Sequence, residues 1–250
     1  MSGHSKWSTI KHKKGAEDAK RGKIFTRLGR DIMVAAREGG GSEETNNKLK
    51  LAIIKAKSAN MPKDNIERAI KRGTGELEGG EMFEVAYEAY GVEGIAFVIE
   101  VLTDNKNRTL AQIKTTLNKN NGTLAASGAV TWQFDRKGYI VVSGEGADFD
   151  ELFMVAAEAG ADDVVNEGEM LLVYTPLESF AAVEQAITNA GYKVEESELR
   201  WIPNSETEVD KSKALQNLRI QELLEELDDV QSVASNLAVT DEVLAAYEAS

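Results

Sequence analysis

Eleven residues near the start of the chain carry side chains suited to gripping phosphate and stacking on bases: Lys6, Trp7, Lys11, His12, Lys13, Lys14, Lys20, Arg21, Lys23, Arg27 and Arg30. Lysine and arginine neutralise backbone phosphates, and an indole offers a flat face to a base. Ser2, Gly3, Ser5, Ser8 and Gly15 lie among them and allow close approach. Trp7 has a second reading, docking onto the helices that follow. For His4 and His12 the choice lies between solvated polar residues and contacts to RNA backbone or bases.

The same residues argue against catalysis. The two histidines are the only ones in the chain, and both lie in this basic arm. A general base needs an orienting partner in a dry cleft, and the arm supplies neither. There is no cysteine, so thiolate metal sites, disulfides and a cysteine nucleophile are excluded. Gly73-Thr74-Gly75 followed by Gly79 lacks the dinucleotide-binding spacing, and no phosphate loop of the Walker type occurs. Asp104-Asn105-Lys106-Asn107 lacks the glycine and terminal glutamate of a calcium loop. No catalytic residue, metal or cofactor is expected.

A secondary anion site is a candidate at Asp104–Thr109, between a strand end and a helix start, where free backbone N–H groups favour an anion. Its cations are Lys106 and Arg108, beside Asn107. The plainer reading is helix capping, with Asn107 as the N-cap.

Charge separates the chain into two parts. Residues 1–75 hold 18 Lys and Arg against 8 Asp and Glu, and the remainder holds 11 against 34, nets of +10 and −23. The overall −13 and pI near 4.8 conceal this. A basic segment joined to an acidic body points to a polyanion bound at one end only. No apolar run reaches the length of a membrane span and no apolar stretch follows the basic start, so a cytoplasmic protein with no membrane partner is expected.

The elements that must position these residues follow from periodicity. The arm, residues 1–20, has too little apolar surface to fold alone. Ile24, Phe25, Leu28, Ile32, Ala35 and Ala36 share one helical arc over Ile24–Glu38, with Lys23, Arg27, Arg30 and Arg37 on the opposite arc as a basic stripe. Gly39–Gly41 ends this helix. A second helix is predicted over Asn46–Ala59, packed on two sides because Leu51 and Ile54 lie off its main face. A third begins with Pro62 at its first position and ends near Gly73. A hairpin follows, from Phe83 to Ala89 and from Ile95 to Leu102, then a helix over Arg108–Asn118 and a strand through Val130, Trp132 and Phe134. Residues 138–202 read β-α-β-β-α-β, the ferredoxin-like order.

The expected fold class is α+β in three domains: a basic arm and helical bundle (1–75), a discontinuous α/β domain (80–135 with 204–240), and an inserted ferredoxin-like domain (136–203). An acidic tail, 241–250, completes the chain.

Long stretches resemble the YebC family. They are Met1–Trp7, Ile10-Lys11-His12, Ala19–Phe25, Ala59–Ile66, Tyr87–Gly91, Thr103–Thr109, Glu158–Ala161 and Asp228-Asp229-Val230-Gln231. The resemblance covers essentially the whole chain and implies a three-domain architecture with a discontinuous middle domain. It also implies a role in gene expression. Family members include bacterial cytoplasmic proteins labelled transcriptional regulators that bind DNA, a mitochondrial translational activator, and bacterial members linked to the ribosome and to relief of stalling. With no leader before the first motif, the chain resembles a bacterial member. It departs from the common pattern at Ser2, where Ala is usual, and at Ser42–Thr45.

The leading expectation is therefore a non-enzymatic nucleic-acid-binding regulator, with RNA or the ribosome favoured over DNA. No helix shows a polar base-reading face, and a cationic face positions without specifying. The alternatives are a DNA-binding transcriptional regulator, and an adaptor that meets protein partners through its acidic domains.

Overall fold

The structure, a computed structural model, describes residues 18–77 and 82–248. Three helices come first: α1 (Asp18–Gly39), α2 (Asn47–Ser58) and α3 (Lys63–Gly73). Ile32, Ala35 and Ala36 of α1 bury against Leu49, Ile53 and Ala56 of α2 and against Ile66 and Ala69 of α3. Small residues on α1 and α3 let those two helices approach closely. At Gly73 a Cβ would sit 2.4 Å from the Met33 carbonyl oxygen, so only glycine fits there.

Asn46 joins α1 to α2. Its Oδ1 accepts the Leu49 N–H (3.0 Å), while its Nδ2 donates to the carbonyls of Ala35 (2.7 Å) and Gly40 (2.8 Å). One buried amide thus caps the start of α2 and ties it to two carbonyls at the end of α1. Two expectations change here. Leu51 and Ile54 are 47% and 48% exposed, so α2 packs on one side only. Pro62 is the N-cap of α3 rather than its first residue.

The first sheet has the order β3-β1-β2-β8, from β1 (Phe83–Tyr90), β2 (Ala96–Thr103), β3 (Thr123–Leu124) and β8 (Val230–Ser235), with all neighbours antiparallel. Chain that returns after residue 204 thus supplies the strand beside β2. Its core joins Phe97, Ile99 and Val101 of β2 to Ile113 and Leu117 of α4 (Lys106–Lys119) and to Leu218 and Leu224 of α7 (Lys211–Glu225). Buried Asn217 of α7 clasps the hairpin turn, accepting from Val92 N (2.9 Å) and donating to Val92 O (3.1 Å).

The second sheet contains β4 (Phe134–Ser143), β5 (Asp163–Asn166), β6 (Met170–Thr175) and β7 (Val194–Pro203) in the order β5-β6-β4-β7. The helices α5 (Phe149–Glu158) and α6 (Phe180–Asn189) pack on it. This is the ferredoxin-like arrangement, in which β4 and β5 of the split βαβ unit lie either side of β6. The fold is α+β, as expected.

Two further expectations are corrected. Val130 and Trp132 belong to no strand, because a 3₁₀ turn occupies Thr131–Gln133. The Glu88 carboxylate collects the N–H groups of Gly128 (2.5 Å), Val130 (2.6 Å) and Thr131 (3.0 Å), which removes them from any ladder. The acidic tail includes a helix, α8 (Asp241–Glu248), whose Val243 and Tyr247 are buried in the first core. Two apolar residues four apart are enough to dock one helical face. Among the described residues no helix is long and apolar enough to cross a membrane.

Candidate nucleic-acid interface

The helix α3 turns its apolar residues, Ile66 and Ala69, toward α1. The helical period then places Asn65, Arg68 and Arg72 along a neighbouring face, and Arg68, Lys71 and Arg72 are exposed. Asn65, Arg68 and Arg72 line one wall of a groove of about 530 Å³; Phe25, Thr26, Gly29, Arg30 and Met33 of α1 line the other. Met61 and Ala69 contribute to the same groove, and Met82 and Asp104 close the end nearest the first sheet. Among the described residues Arg68 and Arg72 have no ion pair or hydrogen bond.

Arg27 and Arg30 behave differently. The Arg27 guanidinium donates through Nη2 to the Glu225 carbonyl at the C-terminus of α7, and Arg30 donates through Nη1 to the Asp228 carbonyl. The end of a helix offers unpaired carbonyls and the negative end of its dipole, so cations settle there. Burial pulls the Arg27 pKa down, against the raising influence of Glu225, Asp228 and Asp31. The solvent-facing basic stripe expected on α1 is therefore not formed by Arg27 and Arg30, which fasten the helices to the first sheet.

The Asp229 carboxylate, 2% exposed, is the centre of that attachment. Its Oδ1 meets Arg30 Nη2 at 2.7 Å. Its Oδ2 accepts from Arg108 Nη2 (2.7 Å), Thr109 Oγ1 (2.5 Å) and Thr103 Oγ1 (3.0 Å). Burial opposes ionisation of this carboxyl, but hydrogen bonds from Arg108 and Thr109, the charge of Arg30 and the Thr103 hydroxyl outweigh it. The pKa therefore lies below the ordinary aspartate value. One buried carboxylate thus gathers α1, β2 and α4.

The same geometry involves the secondary candidate. Asn105, not Asn107, caps α4, its Oδ1 accepting the Arg108 N–H at 3.0 Å. Arg108 is held by Asp104 (2.8 Å) and Asp229, so its charge is already matched by carboxylates. Lys106 lies over the Phe83 ring, 4.1 Å from the centroid, and Asn107 is exposed. Capping by Asn105 and ion pairing of Arg108 occupy most of this segment.

Beside the attachment lies an acidic groove of about 330 Å³, lined by Asp31, Glu84, Glu100, Arg136 and Gln231 among others. Burial, with Glu198 and Glu84 nearby, pushes the Asp31 carboxyl up to about 6 against the opposing pull of Lys55 and Arg27. That side of the molecule would repel a polyanion.

Lys6, Trp7, Lys11, His12, Lys13 and Lys14 lie outside the described residues. Lys20, Arg21 and Lys23 fall within α1, but their side chains are not described. Sequence reasoning gave no role to Asn65, Arg68, Arg72 or Asp229. The available signal for the two arginines was their spacing of four beside the apolar positions Ile66, Ala69 and Ile70. For Asp229, Thr103 and Thr109, only the fold brings residues 120 to 126 positions apart into contact.

Comparison with known proteins identifies two domain families along the chain. Residues 5–76 match the TACO1/YebC protein N-terminal domain, and residues 82–237 match the TACO1/YebC second and third domain. A protein of Acidithiobacillus ferrooxidans is 53% identical over the full length of both chains. One from Desulforapulum autotrophicum is 50% identical, covering 97% of this chain and 98% of its own, and one from Fusobacterium nucleatum is 49% identical, covering 98% of each. All three bear the name probable transcriptional regulatory protein. The crystal structure of a conserved hypothetical protein from Aquifex aeolicus is similar, with a TM-score of 0.84 and 42% identity over 91% of this chain and 94% of that one. The chain belongs to the TACO1/YebC family.

Proposed function

We propose that the protein is a non-enzymatic, cytoplasmic regulator of gene expression that grips a nucleic acid through its basic N-terminal arm and the helical layer behind it. The observation that carries this reading is the separation of charge, +10 over residues 1–75 and −23 over the rest. The exposed Arg68, Lys71 and Arg72 of α3 extend the basic surface beyond the arm. Phosphate-binding cations must be free to exchange counterions. Arg27 and Arg30 are committed to the first sheet and Arg108 to carboxylates. The proposed contacts are therefore Lys6, Trp7, Lys11, His12, Lys13, Lys14, Lys20, Arg21 and Lys23, with Arg68, Lys71 and Arg72 added.

RNA, including ribosomal RNA, is the favoured target, because a cationic arm with one indole suits folded or single-stranded RNA better than base reading in a DNA groove. The second reading, DNA-binding transcriptional regulation, is favoured by the names of the bacterial relatives. Acidic surfaces on the two sheet layers are available to a protein partner. Crosslinking in cells followed by sequencing of bound RNA and DNA, with ribosome co-sedimentation alongside, distinguishes the two targets. In vitro, six neutralised phosphates give a log K against log salt slope of about −4 on single strands and about −5 on duplex DNA. Unaltered binding after reversing Lys11, Lys13, Lys14, Lys20 and Arg21 to Glu would refute the reading.

A further inference from the structure

We infer that the groove between α1 and α3 receives one nucleotide of a single-stranded polynucleotide. This rests on the nucleic-acid reading and adds to it a place and a strand form. About 530 Å³ falls within the roughly 300–1,000 Å³ of small-ligand sites. A duplex is read by a convex element entering its groove, whereas the surface here is concave.

Charged and apolar side chains are separated inside the groove. Arg68 and Arg72 form a cationic wall with no carboxylate partner among the described residues. Met33 and Met61, each 8% exposed, and the half-buried Phe25 give the rest of the groove an apolar lining. Thioethers are polarisable and conform to whatever flat face is laid on them, which suits a base without selecting one. Asn65, on the arginine wall, supplies a hydrogen-bonding group.

The groove is also shaped in advance of any ligand. Arg30, at the same groove, is already fixed by Asp229 at 2.7 Å. At Gly29 a Cβ would meet only the Met61 methyl, at 3.6 Å, so the space is open because α1 carries no side chain there. An unstacked nucleotide could place its phosphate on Arg68 and Arg72 and its base over the methionines. RNA and DNA strands share this chemistry.

Fluorescence anisotropy on the full chain tests the site, with labelled oligouridine RNA, oligothymidine DNA and a duplex as probes. Thr26→Trp, at an exposed position on the groove mouth, should weaken single-strand binding about tenfold, the range of one lost base stack, and leave the duplex unaffected. Arg68→Glu with Arg72→Glu, also exposed, should flatten the single-strand salt slope by about 1.4. The tighter of the two homopolymers identifies the source of the strand. If the intact protein binds strands but both variants bind as well as it does, the groove is overturned while the arm reading stands. Equal losses on strand and duplex make the arginines general phosphate contacts and overturn it too. If the intact protein binds no nucleic acid, both readings fall.

Discussion

Asp229→Asn is the most informative single substitution, because one buried carboxylate joins the helical layer to the first sheet. The amide is almost isosteric but neutral, and its NH2 group must face either Arg30 or the set formed by Arg108, Thr109 and Thr103, all of them donors to the native carboxylate. A hydrogen bond to a charged group contributes about 1.5–3 kcal/mol. The Arg108 side chain is 44% exposed and keeps Asp104 as a partner, so its loss counts for well under about 1 kcal/mol. Arg30, 18% exposed, carries most of the cost. The net is about 2–3 kcal/mol. At roughly 2–4 °C per kcal/mol for a chain of this size, the melting temperature should fall by about 4–12 °C at neutral pH. Differential scanning calorimetry measures this directly, and high salt should change it little because the pair is largely shielded from solvent. Adding Arg30→Gln completes a double-mutant cycle, in which residues in contact should couple by about 1 kcal/mol or more. A fall under about 1 °C, or a coupling energy near zero, would refute the claim that Asp229 fastens the two layers.

Four other outcomes are expected. Glu88, 5% exposed, has its carboxyl held below the ordinary range: burial opposes ionisation, but N–H groups of Val130, Gly128 and Thr131 outweigh it. Glu88→Gln should cost about 2 kcal/mol, read from denaturant unfolding at neutral pH. Asp229 and Glu88 both bind protons more weakly folded than unfolded, so the stability they supply is present above about pH 4 and lost as pH falls below it; the two substitutions should flatten that acid limb in a melting-temperature series. Asp31 has the opposite sign. Its folded value near 6 exceeds the unfolded one, so its contribution is full below about pH 4 and lost as pH rises through 6. Asp31→Asn should therefore raise the melting temperature at pH 8, by about 1–2 kcal/mol equivalent, with no gain at pH 4. Finally, Gly73→Ala places a methyl against the Met33 carbonyl and should destabilise by about 1–3 kcal/mol; a neutral result would mean α1 and α3 separate easily.

Much of the architecture is legible in the chain. Apolar spacing marks Ile32, Ala35 and Ala36 as one face of α1, and Asp148, which accepts from Asp150 N and Glu151 N, marks the start of α5. The β-α-β-β-α-β order is visible because strands and helices differ in period. The opposed charges of the two parts need no fold at all to be read. The destination of a side chain leaving a helix is a different matter. Arg27 and Arg30 occupy the polar arc that periodicity assigns, yet they meet Glu225, Asp228 and Asp229 some 198 residues away. Polar spacing says only that a residue avoids its own helix's core, and whether water or another layer covers it depends on where the chain returns. Val243 and Tyr247 make the same point from the apolar side, since two buried residues in an acidic segment acquire meaning only once the first sheet exists to receive them. The groove is likewise a product of assembly, because its walls come from two helices and its end from Met82 and Asp104. Local periodicity and charge determined the elements and the polarity of the molecule; contacts between residues distant in sequence decided which cations are tied down and which stay exposed.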